Sequence, residues 1–253
     1  MASASTGCNG LKYAILAERV SKRIKGKVIL EEVTLNVPEG AVYVLAGPNG
    51  SGKTTTIRIL LGLVRRDTGR VEILGRDPEV AGGEIRAYIG YLPEDAQPYE
   101  RLTGLEHILF YARLYARSSN IEDIVSRAVD ISGLELRDLN SRAGAYSRGM
   151  KRRLLLSLTL MHNPRVAVLD EPLSGLDVVS SYRVKKIIKS MAGGGTTFLI
   201  TTHDMRDAEE LADVVGLMVN GRLVAEGSPR ELMESTGAES LEEAYVRLVG
   251  GRV

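Results

Sequence analysis

The sequence predicts an α/β protein whose sheet is mostly parallel. Short apolar segments typical of buried strands alternate with longer segments of helical character, as in strand–helix–strand units. One apolar segment, residues 166–169, contains no polar residue, which is typical of a parallel strand buried on both faces. Another, residues 41–46, enters a glycine-rich loop that precedes a helical segment. With 253 residues, 44% of them hydrophobic, the chain can bury the core that such a sheet needs.

The order of the other elements follows from local patterns. Besides the strand before the glycine-rich loop, the first hundred residues carry four predicted strands, at 13–20, 28–37, 71–75 and 88–92. A helix is predicted at residues 55–63. The pattern is helical from residue 97 to about 163, and two of its three helices begin at the capping residues Thr103 and Asn120.

After the strand at 166–169, a helix at 178–191 and a strand at 196–201 continue the alternation. A last amphipathic helix follows Ser240 and is expected to pack on the core. We expect a flexible tail over residues 1–10, one domain over 11–232 with the helical segment 97–163 inserted, and a helical tail over 233–253.

Composition narrows the classes of function. Thirty-three basic against 32 acidic residues leave a formal net charge of +1, and no polybasic block stands out, so nucleic acid is not expected as a partner. Cys8 is the single cysteine, which excludes disulfide bonds within the chain and cysteine-rich metal sites. The first ten residues lack the apolar region of a signal peptide, and the longest apolar stretch, 154–161, is too short to span a bilayer. We therefore expect a soluble, intracellular protein.

The glycine-rich loop has the spacing of a phosphate-binding loop, G-x-x-x-x-G-K-[ST]. Its residues are Gly47, Pro48, Asn49, Gly50, Ser51, Gly52, Lys53, Thr54 and Thr55. Three glycines let the backbone wrap an anion, toward which the loop amides and the following helix N-terminus point. We expect Lys53 to reach the β- and γ-phosphates of a nucleoside triphosphate and the Thr54 hydroxyl to ligate Mg²⁺. A glycine-rich turn with a chance lysine is the alternative, and the agreement of strand, loop and helix argues against it.

Two carboxylates end the apolar strand at residues 166–169. Asp170 and Glu171 lie where open α/β sheets bind their ligands, at the carboxyl end of a strand. We expect Asp170 to hold Mg²⁺ through its water shell and Glu171 to orient and polarise the attacking water as general base. A strand that ends in two solvated acids is common, but the phosphate loop upstream favours the catalytic interpretation.

The motifs, taken in order, resemble those of the ATP-binding cassette (ABC) ATPases. They are the phosphate loop, residues 146–150, Asp170-Glu171, residues 174–177 and Thr202-His203-Asp204. The likeness covers nearly the whole chain and is nearest to the nucleotide-binding subunits of ABC-2 or daunorubicin-resistance exporters. It implies a P-loop NTPase (RecA-like) core with a mostly parallel sheet, an antiparallel β subdomain and an inserted helical subdomain.

The resemblance also implies a shared active site. Such ATPases pair head to tail, here as a homodimer or with a paralogous ATPase subunit, and each ATP lies between the phosphate loop of one subunit and the signature segment of the other. The signature segment is Ser147, Arg148, Gly149 and Met150. Ser147 and Gly149 would donate hydrogen bonds to the γ-phosphate across the interface. His203 would contact that phosphate and the attacking water, a lone surface histidine being the alternative. Asp177 would couple the two sites.

Four positions depart from the family pattern. Arg148 and Met150 stand where the common form has glycine and glutamine, although the phosphate-contacting serine and glycine are retained. Glu94 stands where the family usually carries a metal-binding glutamine; a carboxylate can approach Mg²⁺, but its charge repels phosphate. Ile24 stands at the position of the adenine-stacking aromatic residue, so apolar contact remains without ring stacking. This loss predicts weak discrimination between ATP and GTP.

The chain is therefore predicted to be an ATPase subunit, with ATP and Mg²⁺ as cofactors, that drives a separate transmembrane permease. The system is expected to export drugs, lipids or other hydrophobic or polymeric substrates. It would be cytoplasmic and held on the inner face of the cell membrane through that permease. The helical segment would carry the cleft for the permease, with Tyr99, Leu102 and residues 111–115 as candidate lining. A place in the core is the equal alternative for most of these residues. The alternatives are a soluble ABC ATPase of an assembly pathway, such as iron–sulfur assembly, and an importer subunit.

Overall fold

The computed structural model describes residues 13–115 and 120–250, so the tail predicted over residues 1–10 lies outside it. The strands are β1 (Tyr13–Ile24), β2 (Lys27–Pro38), β3 (Val42–Ala46), β4 (Thr68–Ile73), β5 (Ile89–Leu92), β6 (Val166–Asp170), β7 (Thr197–Thr202), β8 (Val214–Val219) and β9 (Arg222–Gly227). The α-helices are α1 (Lys53–Leu60), α2 (Pro78–Ile85), α3 (Gly104–Tyr115), α4 (Ile121–Ser132), α5 (Leu136–Leu139), α6 (Arg148–Leu160), α7 (Val178–Gly193), α8 (Met205–Leu211), α9 (Pro229–Thr236) and α10 (Leu241–Val249).

Six strands form the central sheet in the order β5-β6-β7-β3-β8-β9, and only the β8–β9 pair within it is antiparallel. This arrangement confirms the predicted mostly parallel sheet. Strands β3, β6 and β7 are buried at every position. Their neighbouring registers pair Ala46 with Thr202 and Asp170 with Thr201. The segments that follow these three strands therefore leave the sheet side by side at one edge.

The two faces of the central sheet bury different cores, because successive side chains of a strand point to opposite faces. Tyr43 and Leu45 of β3 face a core shared with α1 and a second sheet, whereas Val42 and Val44 face a core shared with α7, α8 and α10. The second sheet is antiparallel, in the order β2-β1-β4, as expected. Its hairpin closes through Lys25 and Gly26, both with positive φ, which is the geometry of a type I′ turn.

The chain between β5 and β6 forms a helical layer with its own core. Helices α3, α4 and α6 contribute most of it, and its buried members are Ile108, Ala112, Ile124, Ala128, Leu134, Leu139, Ala143, Tyr146, Leu154, Leu158 and Met161. The short helix α5 lies in the same layer and was not predicted.

Several boundaries differ from the sequence predictions. Helix α1 begins at Lys53, two residues earlier than predicted, and ends at Leu60 because Gly62 follows in the left-handed region with φ of 68°. No elements were predicted for α2, β8, β9 or α9. Two local signals mark part of that region: Asn220 and Gly221 form a positive-φ turn between β8 and β9, and Ser228 with Glu231 forms a capping box.

The helical layer includes a histidine held in its neutral form. The His162 ring stacks on Tyr115 with centroids 4.0 Å apart and planes 5° apart. Burial lowers the pKa of His162 from 6.5 to about 4. Between pH 6.5 and 4 the unfolded chain therefore takes up a proton that the folded chain excludes, and the free energy of unfolding falls as the pH falls.

We expect a His162→Phe variant to lose this part of the pH dependence while keeping an aromatic ring against Tyr115. On going from pH 7 to pH 5, the free energy of unfolding of the wild-type protein should fall by about 2 kcal/mol more than that of the variant. Urea titrations at the two pH values measure the difference. Equal pH dependence of the two proteins would contradict a buried, neutral His162.

Candidate functional site

The phosphate loop connects β3 to α1, and two of its positions have no room for a side chain, so only glycine fits there. A Cβ on Gly47 would lie 2.2 Å from the Met218 carbonyl oxygen of β8. Gly52 caps the N-terminus of α1 with φ of 108°, and a Cβ there would lie 2.7 Å from Leu30 Cδ2. The loop is thus pressed between β8 and β2, and the free N–H groups at the start of α1 are left for an anion.

The turn between β8 and β9 contacts the phosphate loop through main-chain hydrogen bonds. The Gly221 N–H donates to the Ser51 carbonyl at 2.8 Å, and the Gly221 carbonyl accepts from Glu31 N–H at 2.9 Å. A Cβ on Gly221 would lie 2.3 Å from the Ile29 carbonyl oxygen. This turn therefore links the loop to the antiparallel sheet through main-chain contacts.

Lys53 is a buried cation inside the loop. Its Nζ donates to the carbonyls of Gly47 at 2.7 Å and Pro48 at 3.2 Å, and lies 3.8 Å from Glu171 Oε1. Burial lowers the pKa of Lys53, while the carboxylates of Glu171, Asp170 and Glu94 oppose that shift. The ammonium group lies between the loop that precedes it and the acids that follow β6.

Asp170 carries an unsatisfied carboxylate oxygen. The residue is 1% exposed, and one of its oxygens accepts from the Thr201 hydroxyl. The other, Oδ2, is buried without a hydrogen-bond partner in the described part of the chain. A buried carboxylate oxygen without a donor is the kind of ligand that Mg²⁺ prefers. Beside a nucleotide, Mg²⁺ is usually bound by one or two carboxylates plus phosphate oxygens.

The other two predicted magnesium ligands are Thr54 and Glu94. Thr54 is half-buried in the first turn of α1, and Glu94 is exposed in the loop after β5.

Glu171 has a left-handed main chain with φ of 49°, which non-glycine residues rarely adopt. Its N–H donates to the Thr201 carbonyl at 3.2 Å and the Thr201 hydroxyl oxygen at 3.1 Å. Its Oε2 lies 2.9 Å from His203 Nδ1, so the ring can donate to the carboxylate. Burial raises the pKa of Glu171, and the hydrogen bond and charge of His203 and the charge of Lys53 oppose the rise. Lys53, Glu171 and His203 thus form one connected group.

The signature segment lies at the start of α6. Ser147 is the N-cap residue, and its hydroxyl oxygen accepts from Met150 N–H at 3.2 Å. The Arg148 side chain packs over Gly175, where a Cβ would lie 2.2 Å from Arg148 Cζ. A Cβ on Gly149 would lie 3.2 Å from Ser180 Oγ of α7.

The start of α7 is capped by Asp177, which accepts from the Ser180 N–H at 2.9 Å and from the Ser180 hydroxyl at 2.7 Å. The signature segment and the turn at residues 174–177 therefore pack together within one chain. Ile24 lies apart from both, in the hairpin of the antiparallel sheet, with 42% of its surface exposed.

Sequence reasoning missed Arg152, which is 8% exposed in α6. Its guanidinium donates to the carbonyls of Asp170 and Glu171, each at 2.7 Å, and to that of Pro172 at 3.2 Å. It also donates to Pro93 at 3.2 Å and Glu94 at 3.3 Å. Arg152 stands in the basic run 151–153, which is typical of a solvated helix start, so no sequence signal separates it from its neighbours.

A phosphate loop after a parallel strand, with two carboxylates at the end of another parallel strand one strand removed from it, defines a P-loop ATPase. Residues 30–174 match the family model described as ABC transporter. The chain belongs to this family, and it is an ATP-binding, ATP-hydrolysing subunit. The predicted ABC resemblance is thereby confirmed.

Curated relatives match most of the chain. A fluoroquinolones export ATP-binding protein of Mycobacterium tuberculosis is 37% identical over 92% of this chain and 75% of the relative. A daunorubicin resistance ATP-binding protein of Streptomyces coeruleorubidus is 38% identical over 91% of this chain and 71% of the relative. A Nod factor export ATP-binding protein I of Burkholderia orbicola is 36% identical over 89% of this chain and 74% of the relative.

Solved structures agree with the fold. The ATP binding subunit of an ABC transporter superposes with a TM-score of 0.84, is 29% identical, and covers 93% of this chain and 99% of its own. A dimeric ATP-binding cassette in a post-hydrolysis state with ADP and Pi, 23% identical, superposes with a TM-score of 0.76 over 85% of this chain and 98% of its own. The helices over residues 13–115 and 120–250 include none with the length and apolar character of a membrane span.

Proposed function

We propose that this chain is the ATPase subunit of an exporter, which dimerises around ATP and Mg²⁺ and drives a separate transmembrane permease. The observation that carries the proposal is the buried Glu171 carboxylate, which lies 2.9 Å from His203 and 3.8 Å from Lys53 beside the phosphate loop. The relatives are export and resistance ATP-binding proteins, which favours an exporter over an importer or a soluble assembly ATPase.

The loop residues 47–55 bind the phosphates. The N–H groups of the loop and of the α1 N-terminus face the anion, and Lys53 exchanges the carbonyls of Gly47 and Pro48 for the β- and γ-phosphate oxygens. This exchange adds anionic hydrogen-bond acceptors to a buried ammonium group that already lies 3.8 Å from the Glu171 carboxylate. Ile24 offers an apolar surface to the base without ring stacking, so the phosphates supply most of the affinity.

The residues that would hold Mg²⁺ are Thr54, through its hydroxyl, and Asp170, whose Oδ2 lacks a donor in the described ranges. Glu94, in the exposed loop after β5, is a further candidate. When bound, the ion neutralises charge on the β- and γ-phosphates. The Thr201 hydroxyl holds the other Asp170 oxygen and so orients Oδ2.

Glu171 acts as the general base for the attacking water. A carboxyl group must be ionised to accept a proton, and burial raises the pKa of Glu171, which favours its protonated form. The hydrogen bond and charge of His203 and the charge of Lys53 oppose that rise in pKa and favour the carboxylate that the base must be. The proton passes from water to a Glu171 oxygen as the water oxygen attacks the γ-phosphorus and the bond to the β–γ bridging oxygen breaks, leaving ADP and phosphate. His203, half-exposed, orients the water and contacts the γ-phosphate.

The second subunit closes the site with its signature segment, Ser147 to Met150. The Ser147 hydroxyl oxygen accepts the cap bond from Met150 and still has its own proton to donate to the γ-phosphate. The Gly149 N–H and the positive end of the α6 dipole add to this attraction. Arg148 brings a further cation to the segment. Asp177, which caps the start of α7, would contact the partner subunit and couple the two sites.

The helical layer contacts the permease. Tyr99, Phe110 and Leu114 expose more than half of their surfaces on this layer and offer apolar area to a partner. Leu102 and Tyr111 are partly buried. The partner ATPase subunit is a second copy or a paralogue, and the complex holds this chain on the cytoplasmic face of the membrane.

The concentration dependence of ATP hydrolysis tests the proposal. Because each site needs two chains, the rate per milligram of purified chain with Mg²⁺ should rise with protein concentration and level off as dimers form. Chelation of Mg²⁺ should reduce the rate to the background. Constant specific activity over the range in which gel filtration shows only monomers would contradict the shared site, and co-purification with a soluble scaffold in place of a permease would contradict the transport role.

A further inference from the structure

Arg152 joins two segments of the catalytic edge that are far apart in the sequence. One segment is Pro93–Glu94, which follows β5, and the other is Asp170–Pro172, which follows β6. Five main-chain carbonyls of these segments receive hydrogen bonds from one guanidinium, at distances of 2.7 to 3.3 Å. The planar fork of arginine can hold several acceptors in fixed directions, which a lysine cannot.

The hydrogen bonds of Arg152 indicate that it positions main-chain groups and does not pair with a carboxylate. All of its hydrogen bonds within the described residues go to main-chain carbonyls, and none of them goes to a carboxylate. A cation that is 8% exposed and is satisfied in this way fixes the orientation of the peptide groups it contacts.

The peptide groups on both sides of Glu171 need such support. Glu171 has a φ of 49°, and the Thr201 carbonyl and hydroxyl oxygens hold its N–H side. Arg152 holds the other side, through the carbonyl of Glu171 itself, and also the carbonyl of Asp170 before it. The direction of the Glu171 carboxylate, toward Lys53 and His203, depends on this backbone conformation.

We propose that Arg152 is a positioning residue for ATP hydrolysis, which holds the Glu171 main chain and makes its position depend on that of the Pro93–Glu94 loop. The proposal rests on the function proposed above, in which Glu171 is the general base. A displacement of the loop after β5, at the start of the helical layer, would move the same guanidinium that holds Glu171. The arginine thereby transmits movement of the helical layer to the hydrolytic step.

The test compares Arg152→Gln and Arg152→Lys with Arg153→Gln as the matched control. Arg153 is the next residue and also donates to two carbonyls, those of Ser132 and Gly133, but these lie at the end of α4. We expect Arg152→Gln to lower kcat about 30- to 100-fold, as displacement of a catalytic group by roughly 1 Å can do, with the Kd for ATP changed less than about 3-fold. Arg152→Lys should recover part of kcat, and Arg153→Gln should stay within about 2-fold of wild type.

A double-mutant cycle tests the connection to the loop. Pro93→Gly, which loosens the loop, should lower kcat about 5-fold in the wild-type background and less than 2-fold in the Arg152→Gln background, since the linking side chain is then absent. Equal effects of Pro93→Gly in both backgrounds would overturn the coupling. Wild-type kcat in Arg152→Gln would overturn the positioning role.

Two further measurements distinguish a folding defect, an error in the role of Arg152 and an error in the proposed function. Urea unfolding shows whether Arg152→Gln folds, and if it does not, the Arg152→Lys variant decides: a wild-type kcat overturns the proposal, and a loss of kcat at unchanged Kd supports it. Glu171→Gln, measured in parallel, tests the proposed function itself. If that variant loses turnover while the Arg152 variants keep it, only the role of Arg152 fails.

Discussion

Replacing Glu171 with glutamine is expected to stop ATP turnover while leaving ATP binding intact. Glutamine preserves the size of the side chain and removes the proton acceptor, so kcat should fall by about 10²- to 10⁴-fold. The site then closes on ATP without hydrolysing it. Gel filtration with ATP and Mg²⁺ should show a stable dimer that the wild-type protein forms only transiently.

The matched control for this variant is Glu210→Gln. Glu210 lies on α8, the helix that follows β7, but 63% of its side chain is exposed and it pairs with Lys185 at the surface. Such pairs contribute little, so kcat should not change. Full turnover by the Glu171→Gln variant, or by a wild-type preparation that is monomeric throughout the assay, would refute the assigned mechanism.

Replacing Lys53 with alanine is expected to remove most of the affinity for the phosphates. The variant loses charge-assisted hydrogen bonds to the β- and γ-phosphates, each worth about 1.5–3 kcal/mol, so the Kd for ATP should rise by about 10- to 100-fold or more. Adenosine, which has no phosphate, should bind the variant and the wild-type protein equally. Calorimetric titration measures both constants.

Arg58→Ala is the matched control for the loss of positive charge. Arg58 lies in the last turn of the same helix and is exposed, away from the phosphate loop. Its removal should leave the Kd for ATP within about 2-fold of wild type. If Arg58→Ala weakens ATP as much as Lys53→Ala does, the affinity reflects overall charge and not the loop.

Much of the candidate site could be predicted because its residues are adjacent in the sequence or at the ends of apolar strands. The phosphate loop is continuous from Gly47 to Thr55, and its spacing alone indicates its chemistry. Asp170, Glu171 and His203 follow strands recognisable by their apolar character. Parallel strands bring their carboxyl ends to one edge, so the proximity of these residues to Lys53 follows from the fold class.

Features set by non-local packing could not be predicted. The positive φ of Glu171 depends on contacts with Thr201 and Arg152, which lie on other elements. Arg152 and Arg153 look alike in the sequence, but successive residues of a helix point about 100° apart. One guanidinium therefore reaches the carbonyls beside Glu171, and the other reaches the end of α4.

The elements missed near the end of the chain have a physical reason as well. Strand β8 includes Gly216, which lowers strand propensity. A Cβ at this position would lie 2.3 Å from the Tyr43 hydroxyl oxygen, and that hydroxyl donates to Glu226 at 2.6 Å. The glycine is there to admit a tyrosine from the neighbouring strand, a requirement that no local pattern expresses.

The turn at Asn220 and Gly221 has a consequence for interpreting natural variation in this protein. Gly221 belongs to no recognised motif, yet its N–H holds Ser51 and its α-carbon faces the Ile29 carbonyl without room for a methyl group. If natural variants were ranked by their sequence distance from the known motifs, a substitution at Gly221 would be classed as harmless. A substitution at Gly221 should disturb nucleotide binding as substitutions of the loop glycines do, because the β8–β9 turn supports the phosphate loop through main-chain contacts.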